Sequence, residues 1–309
     1  MADSARHNLL IIEESTRGTT PSASPALLDL RHTSCGLKVA KGSNKSAELH
    51  ADGEIRDVRH GARQVNGDVG IELSYGSFDN VLEAVLGGTW ATNVLQLGTA
   101  RRFFSIIRHF SDLASGDKPY HFFTGCEFTG FSLTVPAEGI VSGSFSVLGL
   151  NQVPVADLSA LTTPTIGDPT TTKPFDAFTG TIEEGGSSIA TVTEVSLAFT
   201  KSQAPRFVVG SDTADLNPTV GQADLTGTLT AHFENATMLE KFLNETESSI
   251  ELTLQDLAGN AYALLVPKVK YTDAPTDVSG EGSVIVALPF QALFDVSTGS
   301  AFQITRTDA

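Results

Sequence analysis

The chain has 309 residues, of which 40% are hydrophobic, and its formal net charge is −16. This length predicts two domains that can bury their cores without disulfide bonds, and the hydrophobic fraction excludes a disordered chain. The strong negative charge excludes tight binding of nucleic acid phosphates as a main activity.

The first half of the sequence predicts a strand, a short helix and three further strands. Apolar residues alternate along the first strand: Val69, Ile71, Leu73 and Tyr75. An apolar stripe at helical spacing follows: Val81, Leu82, Val85 and Leu86. Asp79 is expected to cap this helix, and Gly87-Gly88 to end it, because glycine readily takes the left-handed conformation. The next strands are expected near 102–107, 120–128 and 140–148.

The second half repeats this order. Its strand alternates through four apolar residues: Leu225, Leu229, Ala231 and Phe233. Asn235 or Thr237 is expected to cap the next helix, whose stripe is Met238, Leu239, Phe242 and Leu243. Further strands are expected near 249–254, 261–271 and 283–290. The repetition predicts a duplicated strand–helix–strand–hairpin unit, and the alternative is chance alternation in two unrelated β-domains.

The predicted fold class is mainly β, with two tandem β-sandwich or β-barrel domains that each carry one short α-helix. The first domain spans 1–155 and includes an N-terminal arm and a long loop at 15–65. Four prolines among Thr, Ala and Ser between 151 and 174 predict a linker, which is placed at 156–174. The second domain spans 175–309. Residues 1–155 carry a net charge of −3 and residues 156–309 carry −13, so the halves are expected to face different surroundings.

The sequence shows no motif typical of a catalytic site or of a cofactor-binding site. The seven histidines and two cysteines lack metal-site spacing, and neither a nucleophile elbow nor a P-loop occurs, so we predict a protein that is not an enzyme and needs no cofactor or metal. Gly280-Glu281-Gly282 is interpreted as a turn. Cys35 and Cys126 are expected to be reduced thiols, with a cross-link between subunits as the alternative. The short apolar run 9–12 is not typical of a signal peptide, so a soluble, cytoplasmic product is expected.

One cluster of mixed charges is a candidate assembly interface. Arg56, Arg59 and Arg63 are interleaved with acids that include Asp57. Alternating signs favour ion pairs over a phosphate-binding groove. Such pairs set register and partner choice at a subunit boundary, whereas exposed pairs within one chain contribute only about 0–1 kcal/mol each. Both interpretations are open from the sequence.

Several stretches resemble the tail tube (major tail) proteins of long-tailed, non-contractile bacteriophages, the siphophages, in their two-domain form. They are residues 10–21 (LIIEESTRGTTP), 70–79 (GIELSYGSFD), 207–212 (FVVGSD) and 288–293 (LPFQAL). The resemblance runs over nearly the whole chain and rests on structural rather than catalytic motifs. It extends from the N-terminal strand to the last predicted strand of the second half.

The resemblance implies a structural subunit of the virion tail, made in the host bacterial cytoplasm. Family domains are β-sandwiches whose strands join into an inner barrel. Rings of such subunits stack into a tube through which DNA passes without specific binding. A two-domain chain implies a homotrimeric ring with pseudo-sixfold symmetry, and a hexamer with one half as outer decoration is the alternative. The implied partners are the tape measure, tail terminator and distal tail proteins, with no membrane.

Two other functions are weighed against this one. A β-sandwich adhesin or carbohydrate-binding module would need an exposed aromatic platform, and Trp90 is the only tryptophan. The tube of a contractile tail or of a secretion system is a related subtype that the sequence leaves open.

Overall fold

The computed structural model describes residues 3–215, 218–276 and 282–309, so the turn predicted at Gly280-Glu281 lies outside the described residues. The first ten strands are β1 (His7–Glu14), β2 (Ala26–Asp29), β3 (Ser34–Cys35), β4 (Lys38–Lys45), β5 (Val58–Glu72), β6 (Val94–Gln96), β7 (Phe103–Phe110), β8 (Tyr120–Pro136), β9 (Ser142–Gly149) and β10 (Asn151–Val155). The next nine are β11 (Thr165–Gly167), β12 (Thr181–Glu184), β13 (Ser187–Ser188), β14 (Val192–Thr200), β15 (Asp224–His232), β16 (Ser248–Gln255), β17 (Ala261–Tyr271), β18 (Ile285–Ala292) and β19 (Gln303–Thr307).

The helical content is small, and the predicted fold class is confirmed: the protein is mainly β with two short α-helices in its described parts. These are α1 (Asp79–Leu86) and α2 (Thr237–Leu243), and single 3-10 turns lie at Ser4–Arg6 and Ser115–Asp117. β-Branched residues, aromatics and many turn glycines favour this outcome over long helices.

Eight antiparallel strands form one continuous sheet, which we call the eight-stranded sheet. Its order is β4-β5-β9-β8-β14-β15-β18-β17. The first flanking sheet contains β2-β1-β7-β8-β10, with β11 parallel to β2. The second flanking sheet contains β13-β12-β16-β17-β19-β6. Because β8 and β17 are long, each begins in a flanking sheet and ends in the eight-stranded sheet.

The strand pairings recur in the same order along the two halves. β5, β7, β8, β9 and β10 make the pairs β5–β9, β7–β8, β8–β9 and β8–β10. β15, β16, β17, β18 and β19 make the pairs β15–β18, β16–β17, β17–β18 and β17–β19. Each helix follows the first strand of its set. The matching strands β7 and β16 also each gain one more antiparallel partner, β1 for β7 and β12 for β16.

Irregularities in the register recur as well. A shift of the β7–β8 register between Phe104 and Ile106 matches a shift of the β16–β17 register between Ser248 and Ile250. Such bulges mark specific positions of a fold. A glycine also lies at the same position of each set: Gly67 is two residues before the buried Val69, and Gly227 is two residues before the buried Leu229. An added Cβ at either glycine would overlap neighbouring atoms. We call residues at matching register positions counterparts.

The apolar core runs continuously through both halves. It includes Val69 and Phe145 from the first set and Leu229 and Leu288 from the second. A smaller apolar cluster, formed by Leu10, Leu27, Ile107, Phe122 and Leu161, lies on the other face of the first flanking sheet. The halves therefore share one core instead of packing as separate bodies.

The two helices differ in burial although their stripes match in sequence. All four stripe residues of α1 are at most 5% exposed, whereas none of the seven residues of α2, all described, is buried. Gly87 ends α1 in the left-handed conformation (φ 68°), as predicted, and its N–H donates to the carbonyl of Glu83. Before α2, the side chain of Asn235 accepts the Thr237 N–H at 2.9 Å, and Ala236 holds the capping position.

Two local predictions are wrong. Asp79 does not cap α1, because Phe78 holds that position and the Asp79 carboxylate accepts hydrogen bonds from Tyr262 and Arg306 instead. The first predicted strand ends at Glu72, since Leu73 leaves the ladder to donate to the carbonyl of Val141.

The stretch 15–65 is not one long loop. It contains β2, β3, β4 and the start of β5, and its two long connections are 15–25, between β1 and β2, and 46–57, between β4 and β5. β4 reads KVAKGSNK, which lacks apolar alternation, so its backbone pairing with β5 rather than its side chains makes it a strand. Within 156–174, Thr165–Gly167 pairs with β2, so this segment is partly docked on the first half.

Candidate assembly surfaces

The eight-stranded sheet has one apolar and one polar face, because successive strand residues point to opposite sides. The apolar face, with Leu133, Leu197 and Leu229, is buried. The opposite face, which we call the polar face, is built mainly from small side chains. Residues that the register places on it include Lys38, Asp68, Gly70, Glu72, Ser132, Thr134, Ser142, Ser144, Ser146, Glu194, Ser196, Ala198, Asp224, Thr226, Thr228, Thr230, Lys270, Ala287, Pro289 and Gln291.

One row of paired residues crosses the polar face without interruption. It runs through Gly70, Ser144, Ser132, Ala198, Thr226, Gln291 and Lys270. The Ser132 and Ser144 hydroxyls lie 2.9 Å apart. The face is concave near Ser132, Ser196 and Thr228, where it lines a depression of about 440 Å³. Short hydroxyl side chains thus make a smooth surface across both halves.

Charges on the polar face are sparse and mostly negative. Its carboxylates are Asp68, Glu72, Glu194 and Asp224, and the two lysines, Lys38 and Lys270, lie on the edge strands β4 and β17. Two of the carboxylates accept hydrogen bonds: the Ser146 hydroxyl donates to Asp68 at 2.7 Å, and the Gln291 amide donates to Asp224 at 2.7 Å. The face is therefore weakly acidic, as opposed to basic.

The halves meet where β8 pairs with β14. Seven residues of β14, Glu194 to Thr200, pair with Gly130 to Pro136. An added Cβ at Gly130 would overlap the carbonyl oxygen of Phe199, so only glycine allows this approach. β14 is thereby paired on both sides, whereas its counterpart β4 pairs with β5 alone within the described residues. An unpaired edge of this kind invites pairing with another chain.

A buried polar network locks this junction. The Glu127 carboxylate is inaccessible to solvent and accepts from Arg101 at 2.6 and 3.1 Å and from Gln203 at 2.8 Å. Lys201 donates to the carbonyl of Ala84 at 2.9 Å, at the C-terminal end of α1, where a cation is favoured. Burial lowers the pKa of Lys201, and the charge of Glu127 opposes this shift.

The second flanking sheet covers α1. Tyr262 donates to Asp79 at 2.5 Å, and Arg306 pairs with Asp79 at 2.5 Å. Burial raises the pKa of Tyr262, so its hydroxyl stays protonated and able to donate. The Arg306 guanidinium lies 4.7 Å from the centre of the Trp90 ring. Trp90 is therefore engaged within the chain and is not part of an open aromatic platform.

The predicted interface residues do not form one cluster. Arg56 pairs with Asp52, Arg59 lies 3.5 Å from Asp57, and Arg63 pairs with Asp212. Arg56, Asp57 and Arg59 belong to or adjoin the exposed loop 46–57, and Arg59 is 86% exposed. Arg63 instead binds the segment 201–223, whose Asp212 carbonyl also accepts the Arg63 N–H at 2.9 Å. Their role at a subunit boundary stays a prediction.

Sequence reasoning missed the Glu127 network and the Asp79 contacts. The signal for the first was present: Glu127 interrupts an apolar strand, and a buried carboxylate needs a partner. Nothing local points to Arg101 or Lys201 as those partners. Cys35 and Cys126 are both free thiols, and burial raises the pKa of each.

These features define a structural protein with edges and faces suited to assembly. The described residues contain no cluster of side chains that could hold a metal ion. Among the described segments, neither helix is long and apolar enough to cross a membrane. A family model described as "Phage tail tube protein" matches residues 4–292, and the chain therefore belongs to the phage tail tube protein family. No curated protein matches the chain.

Membership of this family fixes the general role. The protein is a structural subunit of a phage tail tube and not an enzyme. It is a component of the virion tail that assembles with copies of itself and with other tail proteins into the tube.

Proposed function

We propose that three copies of this chain close a ring with pseudo-sixfold symmetry, and that stacked rings form the tail tube of a siphophage, around a channel that conducts the genome into the host. In this proposal residues 1–155 and 175–309 are two copies of one tube domain, and 156–174 joins them. The recurrence of strand pairings and bulges in the two halves supports this division.

The observation that carries the ring is the β8–β14 junction. Every described pairing within the first set has a counterpart in the second. The junction β8–β14 differs: because β17 corresponds to β8, and β3 and β4 correspond to β14, its counterpart would pair the end of β17 with β3 and β4. Within the described chain this pairing is not made. If the end of β17 pairs with β3 and β4 of the next copy, each boundary between copies repeats the junction inside the chain. Head-to-tail contacts of this kind close rings when the rotation allows.

The number of copies follows from the width of the barrel. Three chains contribute twenty-four strands, which at about 4.8 Å spacing and about 40° tilt close a barrel roughly 48 Å across. Side chains reduce this by about 10 Å, which leaves room for a hydrated DNA duplex. Two chains would leave only about 22 Å, and six would give a barrel roughly 96 Å wide. If the whole eight-stranded sheet lines the channel, three copies therefore suit a DNA duplex best.

The polar face would line this channel. Its hydroxyl groups give a smooth surface, and its carboxylates repel phosphates, so DNA slides without specific contacts. The eight strands contain two arginines, Arg59 and Arg63, and both lie in the part of β5 that precedes the polar-face residues described above. A face designed to hold DNA would carry such groups, because phosphate contacts dominate nucleic acid affinity.

The loop 46–57 is the proposed contact between neighbouring copies. Its counterpart, 201–223, crosses from β14 to β5 and binds Arg63 through Asp212. If the loop 46–57, which follows β4, runs over its neighbour in the same way, it places Arg56, Asp57 and Arg59 in contact with the next copy. Tape measure protein inside the tube, and terminator and distal tail proteins at its ends, are the further partners of this proposal.

Cryo-electron microscopy of the assembled protein or of virions tests the proposal. Rings of three chains with six similar lobes are expected. Six chains per ring would mean that only one half lines the channel, and a strictly monomeric protein absent from the tail would refute the ring altogether.

A further inference from the structure

The apolar stripe of α2 lies over an open cavity. The cavity has a volume of about 400 Å³, and its lining includes Leu229, Ala231, Phe233, Leu239 and Leu288. Leu243, at the end of the stripe, is 67% exposed. An open apolar cavity beside an exposed helix stripe is unusual for a finished surface.

The counterpart cavity under α1 is nearly filled. It measures about 20 Å³. Six of its lining residues are Ile71, Leu73, Leu82, Phe131, Leu133 and Phe145. The residues at the matching positions of the second set and of the α2 stripe, counted on from the shared register where a position lies outside a strand, all line the open cavity: Ala231, Phe233, Leu239, Ala274, Thr276 and Leu288. The two cavities therefore occupy equivalent positions in the two halves.

The difference lies in what covers each cavity. Under α1 the lining also contains Tyr262, Leu264 and Ile304 of the second flanking sheet and Phe302, which directly precedes β19. No strand of the described chain covers α2 in the same way. The second flanking sheet thus reaches over the first half, and no equivalent sheet among residues 3–215, 218–276 and 282–309 reaches over the second.

We infer that the first flanking sheet of a second copy closes the cavity under α2. This inference rests on the proposed ring and assigns its contact surface. The counterparts of Leu264 and Ile304 are His121 and Pro154, which pair across β8 and β10 as Leu264 and Ile304 pair across β17 and β19. Pro154 is exposed and His121 half-buried in the single chain, so both are accessible to a neighbour.

Charge supports the same occupant. Arg108 pairs in register with His121 and so shares its face of the first flanking sheet. The rim of the open cavity contains Glu234, and Glu184 lines it beside Lys241. A guanidinium approaching Glu234 is favoured and helps to fix which surfaces meet, whereas the charge of Glu184 is balanced by Lys241. The second half, which carries most of the negative charge, therefore meets the less acidic half of the next copy.

Disulfide cross-linking tests this contact. In the double variant Leu239→Cys with Pro154→Cys, mild oxidation of assembled protein should link chains into dimers and trimers, at a level roughly tenfold above either single variant, because only apposed thiols react efficiently. The matched control is Leu82→Cys with Ile304→Cys, whose positions line one cavity inside the chain, and it should link within monomers.

The outcomes separate this inference from the ring itself. If microscopy shows rings of the wild-type protein while the double variant stays monomeric and the control pair links, the contact is wrong and the ring stands. If the wild-type protein forms no rings, the proposed function fails as well. A second variant, Leu239→Asp, should fold but lose ring formation, whereas Leu257→Asp, at an exposed turn, should keep it; wild-type ring yield from Leu239→Asp would overturn the inference.

Discussion

Replacing Glu127 by glutamine removes one negative charge from the junction between the halves. The Glu127 carboxylate is fully buried and holds Arg101, which is 27% exposed, and Gln203. Lys201, also buried, loses its compensating charge as well. Breaking a buried ion pair from one side costs about 3–5 kcal/mol, and we expect the lower end because Arg101 keeps part of its hydration.

A loss of about 3 kcal/mol should lower the melting temperature by roughly 6 °C. Urea unfolding and calorimetry of the unassembled chain measure both quantities. The matched control is Glu247→Gln, which breaks the exposed pair with Lys268 (2.7 Å) and should cost about 0–1 kcal/mol. Equal effects of the two variants would show that the Glu127 network does not hold the halves together.

Three further predictions concern the junction, the histidines and the polar face. Gly130→Val should destabilise the chain by about 1–3 kcal/mol in urea unfolding, because its side chain overlaps the Phe199 carbonyl; an unchanged midpoint would contradict the tight pairing of β8 with β14. Burial, with Arg108 nearby, lowers the pKa of His7 to about 4, below its ordinary value of 6.5. The unfolded chain therefore binds this proton first, so stability should fall as the pH drops from 6.5 towards 4, and His7→Gln should show a shallower fall in melting temperature across that range. A steeper or identical fall would exclude His7 as a contributor. Asp68→Arg with Glu72→Arg should leave tube assembly intact but produce salt-sensitive DNA binding in filter assays and slower genome ejection; no gain of binding would argue against the polar face as the channel lining.

The sequence by itself determined the elements that side-chain pattern controls. Alternating apolar residues located β15 and the last four residues of β5, and helical stripes located α1 and α2, because the 2- and 3.6-residue periods are local properties of the backbone. The end of α1 at Gly87, in the left-handed conformation, was also predictable from the sequence, since glycine takes that conformation at little energetic cost. The matching order of these elements indicated the repetition before any contact was known.

The tertiary structure decided what local pattern cannot encode. β4 is a strand because β5 pairs with its backbone, not because its polar side chains favour one. Asp79, which the sequence predicted as a helix cap, is instead bound by Tyr262 and Arg306, which lie more than 180 residues away in the sequence. Two helices with the same stripe differ in burial because only α1 has the second flanking sheet above it. Burial depends on what the rest of the chain, or another copy, brings to a surface, and no window of sequence contains that information.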